Sequence, residues 1–93
     1  MSILSKLKSV KHELKQQFGI EEFAIFGSYA RGEETQNSDV DIAIIKMKEK
    51  DYFKRVEAKY FLEKVLKKSV DIGYLDTMRS LIKKEVKKDL VYV

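Results

Sequence analysis

Two aspartates separated by one residue, Asp39 and Asp41, follow a Gly-Ser pair, Gly27-Ser28, within the segment FGSYARGEETQNSDVDIAI from Phe26 to Ile44. An apolar residue follows each carboxylate (Val40, Ile42), which is the pattern of a strand, and alternate strand residues share a face. The two carboxylates therefore point the same way and repel each other unless a cation lies between them. Such a pair can hold magnesium ions, which prefer carboxylate and phosphate oxygens, and can bridge two of them roughly 3.5–4 Å apart. Glycine at position 27 lets the backbone approach a ligand closely, and Ser28 offers a hydroxyl and an N–H where a short helix from Tyr29 to Arg31 can begin. A helix start attracts phosphate through its free N–H groups and its dipole. Arg31 adds a fixed positive charge that either holds a phosphate or pairs with Glu33 or Glu34, and Gly32 ends the turn. Ser38, just ahead of the carboxylate pair, can hold the loop backbone. A further aspartate, Asp71, sits in the otherwise apolar Ser69-Val70-Asp71-Ile72-Gly73. A charge there is expensive unless it is paired, solvated or coordinating. If its strand lies beside that of Asp41, Asp71 reaches the same ion and can act as general base toward an attacking hydroxyl.

These residues need elements to position them. Ile3, Leu7, Val10, Leu14 and Phe18 recur at helical spacing, predicting one amphipathic helix from Ser2, its cap, to Phe18, with Gly19 just past its end. Phe23 to Phe26 reads as a short strand running into Gly27, and Val40 to Ile45 as a second, apolar on both faces. Asp51 to Lys68 reads as a helix whose wide apolar face includes Phe53, Val56, Tyr60, Phe61, Leu62, Val65 and Leu66. Ser69 to Leu75 is a third strand. Asp76 or Thr77 caps a further helix through Met78, Leu81, Ile82 and Val86, and Leu90 to Val93 adds an edge strand. Tyr52, Tyr60, Tyr74 and Tyr92 read as core or core-edge residues, Tyr29 as packed under the turn, and His12 as a surface residue. The order implies one α/β domain over residues 1–93, a small mixed sheet packed with helices.

Composition narrows the chemistry. Without cysteine and with a single histidine, thiolate and multi-histidine metal sites are excluded, leaving oxygen ligands. No apolar run is long enough to span a membrane, and the amino-terminal stretch lacks a signal-peptide core, so the expected location is the cytoplasm. The net charge of +4 is spread along amphipathic stretches rather than gathered into a block, which favours a phosphate-bearing ligand or an acidic partner over direct nucleic-acid binding. The Gly-Lys-Ser/Thr ending of a Walker A loop and the third glycine of a dinucleotide fingerprint are both missing.

The string Gly27-Ser28-Tyr29-Ala30-Arg31-Gly32-Glu33, then Ser38-Asp39-x-Asp41 and the later Asp71, resembles the DNA polymerase β-type nucleotidyltransferase superfamily. Within it the chain is similar to the minimal nucleotidyltransferase branch, which includes MntA-type antitoxins encoded beside HEPN-domain toxins. The resemblance spans nearly the whole chain. It implies a polymerase β-like nucleotidyltransferase fold working on ATP with Mg2+. Gly27 and Ser28, with Arg31 beside them, would bind the triphosphate, Asp39 and Asp41 would bind metal, and Asp71 would complete the metal site and activate the acceptor. The implied reaction is transfer of AMP to a tyrosine of a HEPN-type toxin RNase in a hetero-oligomeric complex, with pyrophosphate leaving. Two other readings compete: an antitoxin that neutralises its toxin by binding alone, with a vestigial site, and a transferase acting on a small molecule or RNA. Three converging aspartates argue against the first, and the small size of the chain against the second.

Overall fold

The computed structural model describes residues 2–93. Its elements run α1 (Ile3–Ser9), α2 (Lys11–Phe18), β1 (Ile20–Phe26), α3 (Gly27–Arg31), β2 (Val40–Met47), α4 (Tyr52–Leu66), β3 (Val70–Tyr74), a 3-10 turn (Leu75–Thr77), α5 (Ser80–Asp89) and β4 (Val91–Tyr92). The four strands form one mixed sheet in the order β3-β2-β1-β4. β1 is antiparallel to both of its neighbours, whereas β2 and β3 are parallel and joined through α4.

Alternation along the strands divides the apolar residues between two unequal layers. Phe23 and Ile25 of β1, Val40, Ile42 and Ile44 of β2, and Val70 and Ile72 of β3 pack against Leu7, Leu14 and Phe18 of the first two helices and Ala58, Leu62 and Leu66 of α4. The opposite face holds a smaller cluster of Ala43, Leu75 and Val86, joined by Phe26, Ile45, Met78 and Leu90. Three helices cover the first face, while among the described residues the second has only α5 and the 3-10 turn. Asp41 and Asp71 are on that second, more open face, since each alternates with core residues on its strand.

The amino-terminal apolar row forms two helices rather than one. Ser2 Oγ caps α1 by accepting from Ser5 N–H at 3.1 Å, but the chain breaks at Val10 (φ −110°, ψ 9°). Ser9 Oγ donates back to Lys6 O at 2.6 Å, a local bond that competes with helix continuation. Both halves still bury their side of the row, and Gly19 ends α2 with φ +72°. β1 starts three residues earlier than its apolar pattern suggests. Register shifts at Ile20/Glu22 and Glu22/Phe23 form an irregularity that puts Ile20 and Phe23, an odd spacing, into one core.

On α4 the buried row is Ala58, Leu62 and Leu66, and at about 3.6 residues per turn Phe53 and Tyr60 lie on the far side. They are exposed, as are Tyr52 and Tyr92, so of the four tyrosines expected at the core only Tyr74 packs against it. Neither Asp76 nor Thr77 caps α5. They form the 3-10 turn, where Asp76 pairs with Lys50 at 2.6 Å and Thr77 Oγ1 donates to Tyr74 O, and α5 begins at Ser80 without a side-chain cap. Leu81 and Ile82 are exposed at its start, so the inward side of α5 is carried by Val86.

The open edge of β3 is blocked by side chains of α4. Glu63 Oε2 accepts from Val70 N–H at 3.0 Å, and Arg55 Nη1 donates to Ile72 O at 2.9 Å. Those are the groups that would otherwise recruit another strand.

Candidate active site

The sheet brings the separated motif residues to one level. Phe26, the last residue of β1, pairs with Asp41, which on its other side pairs with Asp71 of β3. The Gly27 turn, Asp41 and Asp71 thus sit side by side on three adjacent strands. Asp39 immediately precedes β2, two residues from Asp41. Of the sequence-derived candidates, Gly27, Ser28, Asp39, Asp41 and Asp71 are brought together at one end of the open face.

Gly27 is held by two independent demands. Its φ is +73°, a region that side-chain-bearing residues rarely adopt. A Cβ at that position would also collide with Asp41 Oδ2 and lie 3.3 Å from Asp41 Cγ. The turn and the carboxylate are therefore fitted to each other. α3 leaves Gly27 and carries Ser28 in its first turn, where N–H groups have no acceptor within the helix. The carbonyl of Ser28 accepts from Glu33 N–H at 2.9 Å, and Gly32, at φ +70°, closes the turn. Tyr29 is half-buried against the main core, so it packs beneath the turn. Ser38 Oγ accepts from Thr35 N–H at 2.8 Å and braces the loop ahead of Asp39.

The three aspartates form a negative cluster. Burial pushes the Asp41 carboxyl above its ordinary pKa, the charges of Asp71 and Asp39 push it further the same way, and only Arg31 acts against them. No hydrogen bond or ion pair to a side chain satisfies any of the three among the described residues. The donors are all hard oxygens, and the crowding of like charge is what a divalent cation relieves, so the residues fit magnesium. Among the described residues no group of three or more acidic, histidine or cysteine side chains is arranged to hold a metal ion by itself. A magnesium ion here would draw the rest of its shell from phosphate and water oxygens, as it favours.

Arg31 is engaged with protein carboxylates. Its Nε donates to Glu33 Oε1 at 2.6 Å and its Nη1 to Asp89 Oδ2 at 2.8 Å, while Glu34 takes no part. Both partners raise the guanidinium pKa. The bond to Asp89 was missed in the sequence, because 58 residues separate the two and no local pattern joins them. It ties the motif helix to the end of α5.

Beside Asp39 a polar cleft of about 310 Å³ opens between Gln36–Asp39 and Lys67–Ser69. A cavity of about 340 Å³ lined by Ile3, Ile25, Tyr29 and Val91 includes none of the aspartates and lies on the helix-covered side.

A family model described as a nucleotidyltransferase domain matches residues 7–93. The protein adenylyltransferase MntA of Thermococcus cleftensis is 38% identical over 91 residues, covering 98% of this chain and 92% of that one. A Methanocaldococcus jannaschii protein, whose name gives the same activity provisionally, is 37% identical over 98 residues and is covered over its full length. Among solved structures, a toxin–antitoxin crystal structure with AMP-PNP superposes with a TM-score of 0.77 at 24% identity, over 95% of this chain and 69% of that one. A structure described provisionally as a minimal nucleotidyltransferase gives 0.79 at 23% identity, over 98% and 95%. These two likenesses show the polymerase β-like fold.

Proposed function

Because the chain belongs to the nucleotidyltransferase domain family, we propose that it is a magnesium-dependent protein adenylyltransferase that acts as an antitoxin. In this reading it transfers AMP from ATP to a tyrosine of a HEPN-type toxin RNase and releases pyrophosphate. The observation that carries the reading is the register Phe26–Asp41–Asp71 against the Gly27 turn, which sets the glycine turn beside paired carboxylates. The names of the relatives support the choice of AMP and of a protein acceptor: one is called a protein adenylyltransferase, and a solved neighbour is a tri-AMPylated HEPN toxin in complex with its MNT antitoxin.

The roles follow from chemistry. Gly27 and Ser28 bind the triphosphate through turn N–H groups and the serine hydroxyl. Asp39, Asp41 and Asp71 would hold magnesium, which when bound would supply positive charge against the phosphate oxygens. Asp71 also takes the proton from the acceptor hydroxyl. The freed oxygen attacks the α-phosphorus in line; the new O–P bond forms as the bond to the bridging oxygen breaks, and pyrophosphate carries that electron pair away. Positioning and charge neutralisation provide most of the acceleration. Arg31 lowers the proton affinity of Asp41, and beside Gly27 and Ser28 it would bind the triphosphate by exchanging its pair with Glu33 or Asp89 for a phosphate oxygen. Residues 1–93 act as one domain. The exposed Leu81 and Phe53 provide apolar surface for a protein partner, and no helix among the described residues is long and apolar enough to cross a membrane, in keeping with a cytoplasmic complex.

The test is intact-mass analysis of the cognate helical HEPN-type protein after incubation with this chain, Mg2+ and ATP. An adenylate adduct is expected, and it disappears with Asp39→Ala/Asp41→Ala. No adduct with any nucleotide, together with full toxin neutralisation by that variant, leaves an antitoxin that works by binding.

A further inference from the structure

The glycine at position 73 is not explained by its backbone or by its packing. Its φ lies outside the left-handed region, and a Cβ built there meets nothing within 4 Å. Glycine in a strand interior is destabilising, and where geometry does not require it, it marks a place where something approaches the backbone closely. Its place in the sheet shows what that could be. Gly73 follows Asp71 by two residues, so both occupy the open face, and Gly73 pairs with Ala43 just as Asp71 pairs with Asp41. Along this face a pair of carboxylates is followed by a pair of minimal side chains. Ala43 is fully covered by the cluster of Leu75 and Val86, whereas Gly73 is only partly covered. The row therefore leads from Asp71 onto bare strand backbone, bordered on the Ala43 side by apolar cover.

We propose that Gly73 determines acceptor specificity: the stem of the acceptor side chain lies flat over it, with its hydroxyl at Asp71. The inference rests on the nucleotidyl-transfer reading and deepens it. A flat, rigid, apolar stem with a hydroxyl at its tip fits such a strip, which selects a phenol over a short aliphatic alcohol. A serine hydroxyl is held too close to its own backbone to reach Asp71 across the strip. A side chain at position 73 stands in the path without touching the triphosphate turn, which belongs to β1 and α3.

The experiment uses isotope-labelled full chain with Mg2+ and α,β-methylene-ATP, observed by amide NMR. N-acetyl-tyrosinamide and N-acetyl-serinamide are titrated separately into wild type, Gly73→Ala and Gly73→Val. The nucleotide arm reads the transfer site through the amides of Gly27 and Ser28, and its loss in wild type overturns the transfer reading itself. The acceptor arm reads the inference. Tyrosinamide is expected to shift the Gly73 and Asp71 amides, with serinamide weaker. Binding should weaken about tenfold in Gly73→Val and by less in Gly73→Ala, while the nucleotide shifts persist. Equal tyrosinamide binding by all three chains, shifts centred elsewhere, or equal response to both probes overturns it. Should Gly73→Val lose its dispersed spectrum, the graded loss in Gly73→Ala, whose added methyl meets open space, decides the matter.

Discussion

Replacing Gly27 with alanine separates the backbone demand at the turn from its fit against Asp41, because Gly32 provides a matched control. The two glycines have nearly the same φ, +73° and +70°, so alanine incurs a similar left-handed penalty of about 1–2 kcal/mol at each. They differ in surroundings. A methyl at Gly32 meets nothing within 4 Å, whereas one at Gly27 collides with Asp41 Oδ2 and presses on Cγ at 3.3 Å. Relief requires the carboxylate to move, and overpacking of this kind costs a further ~1–3 kcal/mol. Gly32→Ala should therefore lose about 1–2 kcal/mol of stability, and Gly27→Ala about 2–5 kcal/mol, read from urea midpoints at unchanged slope. A displacement near 1 Å at a reacting centre costs on the order of 100-fold in rate, so Gly27→Ala should lose about that much transfer activity while Gly32→Ala keeps its rate. In Gly27→Ala/Asp41→Ala the steric part of the stability loss should vanish, since the remaining Asp41 Cβ lies at an ordinary 3.5 Å. Equal stability losses at both glycines, or a Gly27→Ala chain of full activity, would refute the reasoning.

Three further outcomes follow from the charges and the sheet edge. Burial, Asp71 and Asp39 raise the folded-state pKa of Asp41, so in the window above the ordinary carboxylate pKa the native state keeps a proton that the unfolded state has lost. The resulting destabilisation is absent below that window, grows as pH rises through it and is complete above the raised pKa. Asp41→Asn should thus be more stable than wild type at neutral pH in metal-free buffer and lose that advantage in acid; parallel pH–stability curves would contradict this. Arg31 holds the Asp41 pKa down, so Arg31→Ala should move the acidic limb of the pH–rate profile to higher pH, and an unmoved limb would show that its charge does not reach the site. Glu63→Ala leaves the Val70 N–H without its acceptor and should cost about 1–2 kcal/mol, with increased self-association through the uncovered β3 edge, measured by urea unfolding and light scattering.

Most of the site was legible because its signals are local. The glycines, the D-x-D alternation and the apolar frame around Asp71 each follow from a neighbour or two in the chain, and the parallel pairing of β2 with β3 then delivered Asp71 to the level of Asp41. What escaped the sequence depends on tertiary partners. Arg31 had its nearby acceptor Glu33 in view, but Asp89 is brought to it by α5. The irregular start of β1 breaks the period that would have announced Ile20, and the bond from Ser9 to Lys6 interrupts a row whose spacing alone reads as one helix. Aromatic residues misled for a different reason. Phe53, Tyr60 and Tyr92 are apolar by composition, yet their positions on α4 and β4 face away from the layers that form the core, and Tyr52, though near the angle of the buried row, is the first residue of α4 and lies exposed at its end.

The most direct test of the central claim follows the phosphorus atoms. The chain is incubated with its cognate HEPN-type partner, Mg2+ and ATP carrying a label either on the α- or on the γ-phosphorus. The α-label is expected to be bound covalently to the partner and the γ-label released as pyrophosphate, with neither outcome in Asp39→Ala/Asp41→Ala. Transfer of the γ-label, or no α-label on the partner while the toxin is silenced, would contradict it.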